Sequence, residues 1–344
     1  MSDTTFSPKT VLVTGGAGFI GSNFVKFVLG QHPRTKVVNL DCLTYAGNLE
    51  NLADVSDDPR YIFAKIDICE TDKVVVVCQE HGVDSVVHFA AESHVDRSIV
   101  GPGAFIRTNV AGTLSLLQAA RQCGELRFLQ VGTDEVYGSL GPTGCFAETT
   151  PLDPHSPYSA SKAAADHLAS AFHHTYGLPT LITRCSNNYG PYQFPEKMIP
   201  LMINNARQGK PLPVYGDGLN IRDWLYVEDH CRALWTVLTR GQPGRTYNIG
   251  GNSEKTNLDV VRTILRHVDR AETLITFVKD RPGHDRRYAI DASRIRSELG
   301  WSPTVDFDTG MARTIDWYLG NQAWLDRVVS GAYQTYYEEM YAGR

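Results

Sequence analysis

The chain has no excess of positive charge and no long apolar run. Its 344 residues include 33 Lys and Arg against 38 Asp and Glu, a net charge of −5. The sequence therefore predicts no binding of nucleic acid or of anionic membranes. No apolar run approaches the roughly 18 residues that a membrane helix needs. The first nine residues also lack the apolar core of a signal peptide, so we expect a cytoplasmic protein.

Closely spaced cysteines are also missing. The seven cysteines are scattered along the chain, with no pair at the spacing of a zinc or redox motif. We expect them to be reduced and mostly buried. His88 and His94 have no second ligand at a suitable spacing, so the sequence predicts no metal site. Internal repeats and low-complexity segments are absent too.

A glycine-rich turn lies near the start of the chain. The apolar run at residues 10–14 is typical of a parallel strand buried on both faces, and the sequence GGAGFIG follows at residues 15–21. Strand, glycine turn and helix in this order bring backbone N–H groups to a pyrophosphate. The spacing Gly15, Gly18, Gly21 departs from the commoner G-x-G-x-x-G, so alone it only weakly favours a nucleotide site over an ordinary tight turn.

An acidic residue strengthens this interpretation. Residues 36–41 read as the next strand, and Asp41 lies twenty positions after Gly21. A carboxylate there can accept hydrogen bonds from the adenosine ribose and would repel a 2′-phosphate. The two features together predict NAD and not NADP as the cofactor. The alternative, that Asp41 merely ends a strand, leaves the glycine spacing unexplained.

Strand-like and helical segments alternate through the first half of the chain. This alternation predicts an α/β fold with a doubly wound, Rossmann-like parallel sheet, in which ligands gather at the carboxyl ends of the strands. Further strands are predicted at residues 61–66, 85–89, 127–132 and 180–185, and helices at residues 73–81, 105–123 and 158–176. The predicted strand ends carry Gly15, Asp41, Asp67, Ala90, Ala91, Thr133, Asp134 and Glu135.

Proline and glycine become frequent after residue 185, which indicates a second, smaller mixed α/β lobe. We predict an NAD-binding domain at residues 1–185 with a returning segment near residues 223–251. Residues 186–222 and 252–344 would form the substrate lobe. Within the returning segment, residues 222–227 and 246–249 are candidate strands of the main sheet. From residue 253 onward the pattern predicts helix and loop.

Two different acid–base sets follow the predicted strand at residues 127–132. Tyr158 and Lys162 are four positions apart, so a helix places them on one face, where the ammonium lowers the pKa of the phenol. Such a tyrosine can take a proton from a sugar hydroxyl while the carbon beneath it loses hydride. Asp134 and Glu135 add a second acid and a second base. Plain oxidation does not need them, whereas elimination of water does.

These motifs resemble the extended short-chain dehydrogenase/reductase superfamily and, within it, the dTDP-glucose 4,6-dehydratases, over essentially the whole chain. The glycine turn and the Tyr158/Lys162 pair indicate only the superfamily. Narrower matches are TDE at residues 133–135, AAESHVDRS at 90–98, RCSNNYGP at 184–191, YGDG at 215–218 with RDW at 222–224, and DRPGHD at 280–285.

The resemblance implies the roles of individual residues. It implies catalysis by Thr133, Asp134, Glu135, Tyr158 and Lys162, with Tyr158 as the base at the 4-hydroxyl, Glu135 as the base at C5 and Asp134 as the acid at the 6-hydroxyl. It implies NAD binding by Gly15, Gly18, Phe19, Ile20, Gly21, Asp41, Thr44, Asp67, Ile68, Ala90, Ala91, Thr108, Tyr158, Lys162 and Asn188. Contacts to dTDP-glucose are implied for Ser93, Asn187, Lys197, Met198, Pro213, Tyr215, Arg222, Asn257, Arg281 and His284. A homodimer and tightly bound, internally regenerated NAD are implied as well.

Several alternatives stay open at this stage. A nucleotide-sugar 4-epimerase needs the same cofactor site but not Asp134 and Glu135, and a UDP-glucose 4,6-dehydratase would share every catalytic residue. A non-catalytic NAD-sensing module would need only the glycine turn. Arg222 is interpreted as a diphosphate ligand, and its alternative is an ion pair with Asp223 or Asp217. Asp96 and Arg97 are candidates for an ion pair of their own.

Overall fold

The computed structural model of the chain describes residues 5–330. The interior of the chain is built on parallel strands because short apolar runs such as Val11-Leu12-Val13 are buried on both faces. The strands are β1 (Thr10–Thr14), β2 (Lys36–Leu40), β3 (Tyr61–Ala64), β4 (Ser85–His88), β5 (Arg127–Thr133), β6 (Thr180–Cys185), β7 (Asn187–Tyr189), β8 (Leu212–Tyr215), β9 (Ile221–Tyr226), β10 (Thr246–Ile249), β11 (Glu254–Thr256) and β12 (Ile275–Val278).

Seven of these strands form one parallel sheet in the order β10-β6-β5-β4-β1-β2-β3. The chain runs outward from β1 through β2 to β3, then crosses to β4 on the other side of β1 and continues to β6. The strand order therefore reverses between β1 and β4. A crevice opens at such a reversal, on the carboxyl ends of the strands, and it is the usual ligand site of an open α/β sheet.

Helices cover both faces of the sheet. They are α1 (Phe19–Gln31), α2 (Thr71–Glu80), α3 (Val95–Val100), α4 (Pro102–Phe105), α5 (Thr113–Gln122), α6 (Pro157–Tyr176), α7 (Met198–Arg207), α8 (Val227–Arg240), α9 (Asn257–His267), α10 (Ser293–Leu299), α11 (Phe307–Gly320) and α12 (Gln322–Val328). Helices α1, α8 and α10 pack on one face of the sheet, and α2 and α5 on the other, with α6 beside α5. A π-helical segment, Ile106–Gly112, joins α4 to α5.

A smaller lobe stands beside the carboxyl edge of the sheet. It contains a three-stranded sheet of order β11-β9-β7 and a parallel pair, β8 and β12. Helices α7, α9, α11 and α12 pack against these strands around a separate apolar core. The Tyr189, Ile203 and Tyr318 side chains are at its centre and are almost completely buried. The lobe and the main sheet face each other across the crevice.

The predicted Rossmann-like sheet is confirmed, and each strand predicted in the first half lies within two residues of its observed bounds. Residues 246–249 return to the sheet as predicted and pair with β6. Residues 222–227 do not return to it. Residues 222–226 belong to β9, and Val227 begins α8. Asp223 holds β9 beside β11 by accepting hydrogen bonds from the backbone of Gly251 and Ser253.

Two strands appear where only helix and loop were expected, because β11 and β12 lie beyond residue 253. Both are short, and each is paired with a strand of the smaller lobe more than thirty residues earlier in the sequence. Residues 331–344, the end of the predicted substrate lobe, lie outside the described residues. The exact domain boundaries remain a prediction.

Candidate active site

A cavity of about 440 Å³ runs along the carboxyl ends of β1, β2, β4, β5 and β6. The cavity therefore lies at the crevice where the strand order reverses. All fifteen residues predicted to bind NAD contribute to its lining. They are Gly15, Gly18, Phe19, Ile20, Gly21, Asp41, Thr44, Asp67, Ile68, Ala90, Ala91, Thr108, Tyr158, Lys162 and Asn188.

The glycine turn leaves no room for side chains. Gly15 has a φ of +70°, and a Cβ on it would lie 2.7 Å from the backbone of Ala90, just after the neighbouring strand β4. Helix α1 begins directly after Gly18, which supplies no side-chain cap. The first N–H groups of the helix therefore have no partner within the helix and face the cavity with the positive end of the dipole. Such an arrangement binds phosphate oxygens.

Asp41 directly follows β2, beside this turn. Its carboxylate accepts hydrogen bonds from the N–H of Ala17 at 3.0 Å and from the N–H of Leu43 at 2.8 Å. Burial raises the pKa of Asp41, and these two hydrogen bonds oppose that shift. The same carboxylate thus fixes the glycine turn to the loop after β2. Its position on the cavity wall is the one that a ribose-binding acid requires.

The TDE sequence, for which catalysis was predicted, begins at the last residue of β5 and continues into a short 3-10 turn. Thr133 is the N-terminal cap of that turn, and its Oγ accepts a hydrogen bond from the N–H of Glu135 at 3.3 Å. A hydrogen bond to Thr133 also acts on the pKa of Tyr158, so the threonine hydroxyl lies next to the phenol. Thr133 and Glu135 line the cavity. The turn therefore presents alternate residues to the cleft.

Asp134 is not part of the cavity wall, although the sequence grouped it with its two neighbours. Its side chain is buried behind them, and Oδ2 has no hydrogen-bond partner among residues 5–330. Burial raises the pKa of Asp134 well above its usual range, and the charges of Glu135 and Asp223 raise it further. Because an unpartnered buried carboxylate is costly, the neutral acid is the favoured form.

Tyr158 and Lys162 lie on the cavity side of α6, as predicted from their spacing. The helix begins at a capping box formed by Ser156 and Ser159, and Tyr158 packs edge-on against Phe105 at 6.3 Å between ring centroids. The Lys162 ammonium donates a hydrogen bond to the carbonyl of Val131 at 2.7 Å. Both side chains are fixed by the scaffold.

The pKa of Tyr158 is not lowered in this structure. Burial raises it well above its usual range, and the carboxylate of Glu135 is the next largest cause. Burial also lowers the pKa of Lys162. The expectation from the helix spacing alone was wrong because it left out the desolvation of the phenol and the negative charge of Glu135.

A second cavity of about 160 Å³ adjoins the first, on the side of the smaller lobe. Glu135, Asn187, Glu196 and Lys197 line both cavities, so the two adjoin at these residues. Of the ten residues predicted to bind the nucleotide sugar, only Ser93 is confined to the first cavity. The second is lined by Asn187, Lys197, Met198, Pro213, Tyr215, Arg222, Asn257, Arg281 and His284.

Three cations face Glu135 from this second cavity. The charges of Arg281, Lys197 and Arg222, in that order, oppose the rise in the pKa of Glu135 that burial causes. Arg222 donates to the Asp285 carbonyl at 2.9 Å, and its guanidinium stacks on the Tyr288 ring. It forms none of the ion pairs considered from the sequence.

The partners of those acids are different residues. Asp217 pairs with Arg286 at 2.8 Å, and Asp223 accepts backbone hydrogen bonds. Asp96 pairs with Arg281 at 3.2 Å and not with its neighbour in sequence. The ion pair expected between Asp96 and Arg97 is therefore wrong. The α3 helix turns the two side chains in different directions, and Arg97 pairs with Glu196 at 3.0 Å.

Known proteins match this chain along most of its length. A family model described as GDP-mannose 4,6 dehydratase matches residues 12–314. A dTDP-glucose 4,6-dehydratase of Xanthomonas campestris pv. campestris is 58% identical over 343 residues, covering 94% of this chain and 97% of the relative. The chain belongs to the dTDP-glucose 4,6-dehydratase family.

Solved structures of dTDP-glucose 4,6-dehydratases have the same fold. The enzyme of Bacillus anthracis in complex with NAD superposes with a TM-score of 0.88 at 50% identity, covering 93% of this chain and 99% of that chain. The enzyme of Streptomyces venezuelae superposes with a TM-score of 0.90 at 49% identity, with the same coverage. In this family the Rossmann-like sheet and the smaller lobe therefore occur together.

The sequence did not single out Glu196, which lies in both cavity walls of this dehydratase-family chain. Its buried carboxylate accepts hydrogen bonds from the Tyr45 hydroxyl and from Arg97, each at 3.0 Å. The Arg97 guanidinium also stacks on the Tyr45 ring, 4.1 Å from its centroid. These residues come from three separate segments, and no spacing in the sequence connects them. Only the fold brings them together.

Two further observations concern metal sites and membrane-spanning helices. Within residues 5–330, no three His, Cys, Asp or Glu side chains cluster closely enough to hold a metal ion. His88, in particular, is bonded to the hydroxyls of Thr14 and Thr113. In the same part of the chain, no helix has the length and apolar character needed to cross a membrane.

Proposed function

We propose that this protein is an NAD-dependent dTDP-glucose 4,6-dehydratase that forms dTDP-4-keto-6-deoxy-glucose. The observation that carries the proposal is the position of Glu135. This carboxylate lies where the cofactor cavity meets the second cavity, beside Tyr158 on one side and the buried acid Asp134 on the other. A sugar at that junction would have an oxidation base and an elimination pair around it.

The residues of the first cavity fit NAD. Only glycine can occupy position 15, because a Cβ there would clash with Ala90. The uncapped start of α1 and the carboxylate of Asp41 suit a pyrophosphate and an adenosine ribose respectively. When bound, NAD supplies an acceptor for the hydride of C4 and the donor of the hydride that C6 receives.

Tyr158 is the base of the first step. As phenolate it takes the proton of the 4-hydroxyl while C4 loses its hydride, which leaves a 4-ketone. Because burial raises the pKa of Tyr158, the phenol has to lose its proton before this step, and the Lys162 ammonium one turn along α6 is the group that would stabilise the phenolate. The Thr133 hydroxyl, next to the phenol, would orient the same oxygen. The ketone acidifies the hydrogen on C5.

Glu135 and Asp134 carry the elimination. Glu135 takes the proton from C5, and the 6-hydroxyl leaves with a proton from Asp134 as water. Burial keeps Asp134 protonated, while the three cations keep Glu135 available as the carboxylate. The atoms then balance, because C6 receives the hydride that C4 lost and C5 regains a proton. For Asp134 the assignment as acid is a prediction, since its side chain lies behind the cavity wall.

Arg222, Arg281 and Lys197 provide the charge for the diphosphate of the substrate. All three line the second cavity and face the same carboxylate. Guanidinium groups can donate two parallel hydrogen bonds to a phosphate, so the two arginines suit the clamp. A 4-epimerase would use the same clamp and the same Tyr158 but would have no use for the acid and base of the TDE turn.

We propose a homodimer with its interface on the α4–α5 side. Ile106, Val110 and Leu114 repeat every four residues along this continuous helix, and Ile106 and Leu114 are 55% and 36% exposed. Val100, at the end of α3, is 82% exposed. An apolar stripe of this kind is a typical association surface. Changing Ile106 to Glu should convert the dimer to a monomer in sedimentation equilibrium, and a monomeric parent protein would contradict the proposal.

A cytoplasmic location remains part of the proposal. All seven cysteines are free thiols, which suits a reducing compartment. Labelling of intact cells with an impermeant thiol reagent would test it, because the exposed Cys42 and Cys145 should stay unlabelled until the cells are lysed.

The reaction is tested by incubating the purified protein with dTDP-glucose in deuterated water without added NAD. A product lighter by one water and carrying one deuterium at C5 is expected, and mass spectrometry with proton NMR would measure both. Conversion of glucose to the galactose configuration at unchanged mass would instead establish an epimerase. An unaltered substrate, also after addition of NAD and of UDP-glucose, would contradict the proposed function.

A further inference from the structure

Lys162 is buried together with a carboxylate that the proposed mechanism does not use. Asp166 lies one turn further along α6, on the same face. Both side chains are almost fully buried, at 6% and 1% exposure. An ammonium in such a place loses its proton easily unless a negative charge is close.

The two charged groups lie against the same peptide unit of β5. Lys162 Nζ donates to the carbonyl of Val131 at 2.7 Å. The Asp166 carboxylate lies against the next residue, Gly132, where a Cβ would be 3.1 Å from Asp166 Oδ1. That oxygen has no hydrogen-bond partner in the described chain. The absence of a side chain on Gly132 therefore gives the carboxylate its place behind the active-site lysine.

The other carboxylate oxygen is held from β6. Arg184 Nε donates to Asp166 Oδ2 at 2.8 Å, and Arg184 Nη1 donates to the Tyr137 hydroxyl at 3.0 Å. Tyr137 in turn donates to Asn248 on β10 at 2.8 Å. This chain of contacts fixes the rotamer of Asp166. It also stabilises the ionised carboxylate against the burial that raises its pKa.

Within residues 5–330, the other titratable groups that face Lys162 are neutral or positively charged near neutral pH. On β4, burial lowers the pKa of His88 to about 3. On β6, burial raises the pKa of Cys185 to about 12, and Arg184 is a cation. On α6 itself, burial raises the pKa of Tyr158, so the resting phenol is neutral. Asp166 is thus the anion of this neighbourhood, and its charge opposes the lowering of the Lys162 pKa by burial.

We propose that Asp166 is a positioning residue that keeps Lys162 protonated and directed at Tyr158. The proposal rests on the proposed function only for the role of Tyr158. The proposal fixes the direction in which removal of Asp166 changes the pKa of Lys162. Without the carboxylate, Lys162 loses its proton at a lower pH, and the phenolate of Tyr158 then loses its stabilising charge. The active form of the enzyme should disappear at a lower alkaline pH, while behaviour at lower pH stays the same.

The test measures Lys162 directly in the NAD-bound protein, without substrate. Protein labelled at lysine Cε is titrated by NMR, and the Lys162 signal is assigned by its loss in Lys162→Met. In Asp166→Asn the midpoint should fall by about one pH unit or more, the usual effect of losing a nearby opposite charge. The alkaline limb of the kcat profile should move with it. Asp229→Asn, which removes a buried carboxylate paired with Arg232 on α8, is the matched control.

A double variant separates this role from a structural one. Asp166→Asn leaves the Arg184 cation buried without its partner, and that alone could displace the lysine. In Asp166→Asn/Arg184→Gln the unpaired cation is gone too. The proposal requires the lower Lys162 midpoint to persist in this double variant. If the single variant does not fold, the double variant alone tests the proposal. A parental midpoint in either variant would overturn the proposal. A failed turnover assay would not affect this titration.

Discussion

The Tyr45 hydroxyl donates a hydrogen bond to Glu196 at 3.0 Å, and it thereby joins the loop after β2 to the loop before α7. Phe194 packs edge-on against the Tyr45 ring at 5.6 Å. Glu196 and Phe194 both line the cofactor cavity. The contact therefore links two segments of the cofactor cavity wall, one beside the sheet and one beside the smaller lobe.

We predict that Tyr45→Phe loses NAD more quickly. The variant keeps the ring and its stacking on Arg97 but removes one hydrogen bond across the cleft, so the loops should separate more often. The amount of NAD that remains bound after gel filtration should fall several-fold over time. The loss of one hydrogen bond costs at most about 1.4 kcal/mol, which corresponds to roughly a tenfold fall. Tyr247→Phe removes a comparable hydrogen bond, to Glu298 on the far side of the sheet, and should retain NAD like the parent.

Glu135→Gln should stop the reaction after the oxidation of C4. The amide cannot take the proton from C5, whereas Tyr158 and the cofactor cavity are unchanged. Bound cofactor should therefore accumulate in the reduced form, visible by its absorbance, while steady-state turnover falls by at least a hundredfold. Normal turnover in this variant would exclude Glu135 as the C5 base. Glu298→Gln, remote from the cleft, serves as the control.

Tyr158→Phe should prevent the first step itself. Without a phenolate the 4-hydroxyl keeps its proton, so no reduced cofactor should form when substrate is added. Stopped-flow absorbance in a single turnover measures this. The same change at Tyr176, which is 44% exposed near the end of the same helix, should leave the rate unaltered. Reduction at the parental rate would assign the base to another group.

The acid limb of the pH profile should report Glu135. Burial raises its pKa and the Arg281 and Lys197 charges lower it, so the base is active above that pKa and becomes protonated as the pH falls through it. Lys197→Met removes one of the opposing charges and should move the acid limb of kcat to higher pH. The measurements are made at saturating substrate, so that weaker substrate binding in the variant does not affect the position of the acid limb. An unmoved limb would mean that another group limits the rate there.

Trp324→Phe should destabilise the protein without reaching the chemistry. The indole of Trp324 donates to Asn51 Oδ1 at 2.9 Å, and the Asn51 amide donates to the carbonyl of Ala17 in the glycine turn at 2.9 Å. Phenylalanine fills most of the space but leaves a buried amide oxygen without its donor. Urea unfolding should show a loss of about 1–2 kcal/mol. Trp235→Phe, whose ring stacks on His32, tests the loss of indole size alone.

Sequence patterns sufficed for the main sheet because local signals and tertiary structure agree there. The glycine turn, Asp41 and the Tyr158/Lys162 spacing each depend on a few neighbouring residues, and all of them line the cleft. The placement of Asp134 could not be predicted in this way. In a tight 3-10 turn adjacent side chains point in different directions, so sharing a motif with Glu135 did not give it the same surroundings.

The charge partners were harder still to predict. The bonds of Glu196 to Tyr45 and Arg97 span 151 and 99 residues of sequence, and no periodicity reaches that far. Desolvation is equally invisible in a sequence. The pKa of Tyr158 is raised because the phenol is deeply buried and lies near the Glu135 carboxylate.

The pairing of β10 with β6 has a consequence for how the chain is made. β6 ends at Cys185, but the strand that covers its open edge does not begin until Thr246. During synthesis, the edge of β6 therefore stays unpaired until about sixty more residues have been made, including the first strands of the smaller lobe. A fragment cut at the predicted boundary would expose that unpaired edge to other chains. The main sheet can therefore be completed only after part of the smaller lobe has been synthesised, so the folding of the two lobes is coupled before any ligand binds.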